Sequence, residues 1–270
     1  MSIITISRGT FSGGKLLAEC VAEKLGYRCI DRDVIVERAA AFGVSQDELR
    51  DALQKPPTFL DRFKHKKYIY LALIQAALTE EVRTGKAVYH GNAGHLLLRG
   101  GDNHILRTRI IAPLEFRVRM AQERLKMSRA EVIDYIQKMD QDRRKWTQYL
   151  YGVDWGDPTL YDMVLNLEYV DVSEACEIIA ATVRQRCFEF TPESQAVMDE
   201  LALASRVRAN LAINPATSHL ELDVVARGGR VSIKGRLSNL NELPEIQRVA
   251  GATPGLTALD LDELVTPAAS

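Results

Sequence analysis

Between an apolar run, Ile3-Ile4-Thr5-Ile6, and a segment with apolar residues at helical spacing, Leu16 to Leu25, lies Ser7-Arg8-Gly9-Thr10-Phe11-Ser12-Gly13-Gly14-Lys15. No other stretch restricts the fold as tightly. Strand, glycine-rich turn and helix, in that order, form the setting of a phosphate-binding loop. Gly9, Gly13 and Gly14 let the backbone curl with its N–H groups inward, and no Cβ there holds off a phosphate. The helix behind the loop adds unpaired N–H groups and partial positive charge. Lys15 reaches terminal phosphates as a point charge. The spacing is G-x-x-x-x-G-K, but Leu16 stands where Ser or Thr would ligate Mg²⁺. A glycine-rich turn with an exposed lysine is the plain alternative. A dinucleotide-binding turn is rejected despite Asp31 downstream, because the G-x-G-x-x-G spacing is missing.

A chain of 270 residues holds one large domain, or a medium and a small one. Its formal net charge of -1 with 26% charged residues gives no nucleic-acid footprint. The first strand begins at Ser2 or Ile3, so no targeting segment is expected, and no apolar run approaches a membrane span. The expected location is cytoplasmic. Cys20, Cys29, Cys176 and Cys187 lack C-x-x-C spacing and read as buried thiols in a reducing compartment.

Short apolar strands alternate with helices through residue 188, which predicts a doubly wound parallel sheet with helices on both faces. Predicted strands are Tyr27–Ile30, Lys86–His90, His104–Ala112 and Met163–Asn166. Ser128 and Glu131 form a capping box for a helix to about Trp146, and Ser173 reads as the N-cap of another to about Arg186. The first loop, Asp31 and Gly91-Asn92 all fall at carboxyl ends of strands, where such sheets bind ligands. Phe188 to Pro192 reads as a linker. Beyond it come a helix from Gln195, a hairpin turning at Gly228-Gly229, a helix near 241–250 and a strand at 257–261. That pattern predicts a small α+β domain of two helices on three strands, over residues 195–266.

Phosphoryl transfer asks for positioning and positive charge. Lys138 to Lys145, with Arg143 and Arg144, could close over a nucleotide; a solvated helix face with an Asp140–Arg144 pair is the alternative. Asp31 and Arg32 lie at the mouth of the site, where an arginine would hold a second phosphate bidentately, or where Asp31 would simply cap a helix. Arg117 and Arg119 read equally well as surface residues. His90 and His95 have the wrong spacing for a metal pair on one helix face, and no metal-ligating residue is assigned. His65 and His104 read as surface or half-buried.

Several runs together resemble the cytidylate-kinase-like family over about Ser2 to Gln185: Ile6-Ser7-Arg8 with Ser12-Gly13-Gly14, Ile30-Asp31-Arg32-Asp33, Ala112-Pro113-Leu114-Glu115-Phe116-Arg117, Asp142-Arg143-Arg144, Trp155-Gly156-Asp157 and Tyr161 to Asn166. The resemblance implies a P-loop kinase-like domain over residues 1–188, with ATP as donor and CMP or dCMP as acceptor. It implies that Gly9, Thr10, Ser12, Gly13, Gly14 and Lys15 hold the β- and γ-phosphates. Lys15, Arg143 and Arg144 would be catalytic, the two arginines as lid residues, and Asp31 and Arg32 would bind the acceptor. With Leu16 in place of a hydroxyl, Mg²⁺ would be held by ATP oxygens and water. Authentic cytidylate kinases carry an acidic, arginine-containing stretch after the third strand, where this chain reads His90-Gly91-Asn92-Ala93-Gly94. Residues 195–266 resemble a BON-type domain on Val207 to Leu211, Gly229 to Arg236, Val249-Ala250 and Pro254-Gly255-Leu256. That implies a phospholipid surface or a protein as partner. The alternative function is a catalytically degenerate nucleotide sensor or adaptor signalling through this domain.

Overall fold

A computed structural model of the chain describes residues 2–54, 64–91, 93–100 and 104–266. These separate into two compact units: one of 2–34, 53–54 and 84–190, the other of 35–52, 64–83 and 191–266.

The first unit is built on β1 (Ile3–Arg8), β2 (Arg28–Ile30), β3 (Ala87–Tyr89), β4 (Ile105–Ile111) and β5 (Met163–Asn166). Every pairing is parallel and the order is β2-β3-β1-β4-β5. Strand β1 is central and buried on both faces, which its near-continuous apolar run requires. Ile4 and Ile6 share one face with Val88, Leu106 and Ile110, and pack on Leu17 and Val21 of α1 (Gly14–Leu25) and Ile179 of α8 (Val172–Val183). Connections leave β1 and β4 in opposite directions, so the crevice between their carboxyl ends is the topological switch point. This is the doubly wound parallel sheet that the sequence predicts.

The intervening helices are α2 (Arg32–Ala40), α3 (Gln46–Gln54), α4 (Lys64–Val82), α5 (Gly94–Leu97), α6 (Leu114–Gln122) and α7 (Arg129–Tyr151). The Ser128–Glu131 capping box forms, but α7 runs five residues past Trp146, until Gly152 at φ 68° stops it. The N-cap of α8 is Asp171, not Ser173, because Asp171 and Glu174 close a reciprocal box. The expected linker already contains a helix start: Thr191 caps α9 (Pro192–Ile213), with Pro192 in its first turn.

The second unit joins α9 to α4. Arg83 Nη1 meets Asp199 Oδ1 at 3.1 Å, and Arg208 Nη1 donates to Gln75 Oε1 at 2.8 Å. Strands β6 (Asp223–Arg227) and β7 (Arg230–Arg236) pair antiparallel. Gly228 and Gly229, at φ 55° and 81°, make the two-residue turn that needs positive φ twice. Strands β8 (Ala258–Asp260) and β9 (Leu264–Val265) both run parallel to β7, giving four strands where three are expected. Helix α10 (Glu242–Gly251) covers this sheet through Ile246 and Ala250.

Two cysteine expectations fail: Cys29 and Cys187 are exposed, while Cys20 is half-buried and Cys176 buried. Cys29 lies on the short β2, which forms one edge of the sheet. His104 is fully buried rather than superficial, and the side chain of His65 lies outside the described residues. Burial holds His95 down to a pKa of about 3 and His104 to about 4. Folding favours their neutral forms, so below pH 6.5 the unfolded chain takes up more protons than the folded one. Urea unfolding should therefore show about 2–4 kcal/mol less stability at pH 5 than at pH 7. Equal stability at the two values would show that neither histidine is buried neutral.

Candidate active site

Residues 9–13 connect the carboxyl end of β1 to α1. Gly9 N–H donates to Ile110 O at 3.2 Å, tying the loop to β4. Ser12 folds the loop on itself: its Oγ donates to Gly9 O at 3.0 Å and reaches Ile110 O at 3.3 Å. Phe11 sits at φ 58° and Gly13 at φ 83°, left-handed backbone that strains a phenylalanine and suits a glycine. Leu17 N–H bonds Gly13 O at 3.1 Å, closing the first turn of α1. The amides ahead of Leu17 therefore have no intrahelical acceptor and can receive an anion. A Cβ on Gly14 would lie 2.7 Å from both Cβ and Cδ of Arg8, so only glycine lets that side chain cross the loop.

Lys15 is half-exposed and leans on Glu19, 3.7 Å away. The loop's strongest tether comes from far along the chain. Asp140 Oδ1 accepts from Thr10 N–H at 3.1 Å and from Thr10 Oγ1 at 2.8 Å. Its Oδ2 pairs with Arg117 Nη2, and Arg117 Nε donates to Thr10 O at 2.7 Å. Arg143 Nη1 donates to Thr10 Oγ1 at 3.0 Å and to Arg8 O at 3.2 Å. Burial, then Arg8, Arg32 and Arg117, bring the Arg143 guanidinium down to a pKa of about 10 against the opposing pull of Asp140, leaving it charged at neutral pH.

Asp140 thus fixes both arginines and the loop at once. Asp140→Asn should lower kcat about 10–100-fold through misplaced cations and destabilise the fold by about 1–3 kcal/mol. Turnover and urea unfolding measured on one preparation check this; a variant unchanged in both would mean that the tether is idle.

Two clefts flank these groups. The first runs over the loop from Thr10 to Leu16 with Phe11, Met120, Arg124 and Tyr135. The second, narrower one is lined by Ser7, Arg32, Asp142, Trp146 and Trp155 among others. They share Arg8, Met139 and Arg143. Trp155 is held in place from both sides: its Nε1 donates to Ser7 Oγ at 2.7 Å, and the buried Arg109 guanidinium lies 4.0 Å from its ring centroid.

The structure brings Gly13, Gly14, Thr10, Lys15, Arg32 and Arg143 to these clefts. Gly9 and Ser12 shape the loop from within. Asp31 takes the plainer of its two readings, accepting Val34 N–H at 3.0 Å at the start of α2. Arg144 is not brought in: its side chain is 62% exposed and pairs with Asp154 at 3.4 Å rather than with Asp140. His90 is a buried strand-end residue, and Asn92 lies outside the described residues. The sequence gives no site role to Arg8, Asp140, Arg124 or Trp155, and reads Arg117 equally well as a surface residue. The run Asp142-Arg143-Arg144 marked the right turn of α7, but not the carboxylate one turn earlier. Among the described residues no group of three His, Cys, Asp or Glu side chains could hold a metal, and no helix is long and apolar enough to cross a membrane.

Fold and loop together define a doubly wound α/β protein with a P-loop. More narrowly, the chain belongs to the cytidylate kinase-like family, whose model matches residues 3–169. It is similar to a cytidylate kinase of Pyrococcus horikoshii, 25% identical over 165 residues that cover 61% of this chain and 79% of that one. A cytidylate kinase of Ignicoccus hospitalis is 26% identical over 183 residues, 66% of this chain and 97% of that one. Among solved structures, an uncharacterized protein from Eubacterium ventriosum superposes with a TM-score of 0.55 at 19% identity, over 69% of this chain and all of that one. Membership in this family supports nucleotide kinase activity.

Proposed function

We propose that the chain transfers the γ-phosphoryl group of ATP to a nucleoside monophosphate, with CMP or dCMP as preferred acceptor. The observation that carries this reading is the pair of clefts meeting at Arg8, Met139 and Arg143, one of them built on the phosphate loop. A donor in the first cleft and an acceptor in the second would meet end to end, the geometry of an in-line transfer.

On this reading the amides of Gly13, Gly14 and Lys15 hold the β- and γ-phosphates, with Gly9, Thr10 and Ser12 fixing the loop that presents them. Lys15 leaves Glu19 for the terminal phosphate. Arg143 neutralises charge on the transferred group, and Arg32 holds the acceptor's phosphate. Arg144 serves as a second lid arginine if closure draws it from Asp154. Asp31 supports the acceptor region by starting α2. The loop amides ahead of Leu17, which have no intrahelical acceptor, fit a polyphosphate. Leu16 offers no oxygen to Mg²⁺, so the ion would ride on ATP oxygens and water and supply charge neutralisation there.

A thermal-shift screen of nucleoside mono- and triphosphates, with and without Mg²⁺, tests the pairing of donor and acceptor. ATP and CMP should each raise the melting temperature, and together should raise it further. Stabilisation by ATP without any response to nucleoside monophosphates would favour the sensor or adaptor reading. We propose residues 1–188 as the kinase domain and 195–266 as a BON-like domain meeting a phospholipid surface or a protein. Its hairpin cations Arg227, Arg230, Lys234 and Arg236 support that role, although Lys234 is partly neutralised by Glu263. A cytoplasmic location accords with such an enzyme.

A further inference from the structure

Among the described residues, one cation stands in both clefts without a partner. Arg8 ends β1, and its side chain lies across Gly14 at the amino end of α1. It is half-buried and lines both clefts, yet among the described residues its guanidinium makes no hydrogen bond or ion pair. Arg143 also lines both clefts, and Nη1 of Arg143 rests on the Arg8 carbonyl. Burial first, then Arg32 and Arg124, weaken the hold of Arg8 on its proton, while Tyr89 and Asp31 oppose them less strongly. A cation placed beside a helix amino end and other arginines is unfavourable without an anion. A multiply charged anion that reaches from one cleft into the other would balance it.

We infer that Arg8 is a catalytic residue whose guanidinium spans the junction of the clefts and holds the phosphoryl group as it passes. This rests on the phosphotransferase reading above. In that reaction an acceptor phosphate oxygen forms a bond to the γ-phosphorus. The bond from that phosphorus to the β,γ-bridging oxygen breaks, and ADP leaves with the electron pair; a dianionic acceptor gives up no proton. Charge spreads over the three equatorial oxygens, and a planar guanidinium matches two of them. Because Leu16 withholds a hydroxyl from the metal, a larger share of this stabilisation falls on fixed cations.

The test compares the full chain with Arg8→Met, which keeps the length of the stem, and Arg8→Lys, which keeps charge without the fork. Each is titrated with Mg-ATP and with an adenosine–cytidine pentaphosphate long enough to occupy both clefts, and kcat is measured with CMP. Arg8→Met should lower kcat about 100-fold or more. It should weaken the pentaphosphate at least about 30-fold while Mg-ATP changes less than about threefold. Arg8→Lys should recover part of both losses, with melting temperatures alike. Pentaphosphate affinity and kcat retained in Arg8→Met would overturn the assignment, as would equal weakening of both ligands, which marks a purely structural wall. If the unaltered chain binds Mg-ATP but gains nothing from the pentaphosphate, the two-cleft reading itself falls and Arg8 with it.

Discussion

Lys15→Ala is expected to lower kcat/KM about 10³-fold, the upper range for removing one preorganised charge at a phosphoryl group. Lys15 contributes little to the fold itself. Its ammonium is half in solvent, and its partner is Glu19 one turn along α1 at 3.7 Å. Such a pair is worth about 0.3–0.5 kcal/mol, so the fold loses almost nothing with it. Activity and stability therefore separate: steady-state kinetics should show the loss, and calorimetry a melting temperature within about 1 °C of the parent. A fully active variant would remove Lys15 from the mechanism.

Gly14→Ala should do both kinds of damage. The added methyl would sit 2.7 Å from Arg8 Cβ, an atom fixed by the end of β1, so the strand or the helix must shift. Overpacking of this kind costs about 1–3 kcal/mol. The same shift moves the loop amides and Arg8, and a displacement of about 1 Å near reacting groups lowers kcat about 100-fold. Gly251→Ala is the control, since a Cβ there meets open space and the backbone is not left-handed. It should stay within about 0.5 kcal/mol of the parent or gain slightly. Urea unfolding and turnover of the two variants decide the matter; an active, stable Gly14→Ala would mean that Arg8 does not cross the loop closely.

What could be read from the sequence was local. The apolar run of β1, its glycines and the helical spacing from Leu16 onward fix a strand–loop–helix, and the alternation of short strands with helices fixes a parallel sheet. The Ser128–Glu131 box was legible because both partners lie within four residues. What joins the site is not local. Asp140 reaches Thr10 across 130 residues, and Arg117 reaches it across 107. Spacing on α7 offers Asp140 a partner at Arg144, but the packed helix turns the carboxylate toward the loop and leaves Arg144 to Asp154. Arg8 was visible as a letter in the motif, but its role depends on the two clefts that meet beside it. The joining of α4 to α9 was equally hidden, since Arg83 and Asp199 are 116 residues apart.

The central claim is that a phosphoryl group passes directly from a nucleotide gripped by the amino-terminal loop to an acceptor in the neighbouring cleft. Incubation of the protein with γ-labelled Mg-ATP and CMP, followed by separation of the products, tests it in one step. Direct transfer requires labelled CDP formed in equal amount with ADP, and its loss in Lys15→Ala. Label recovered only as inorganic phosphate, or left on ATP at saturating CMP, would contradict it.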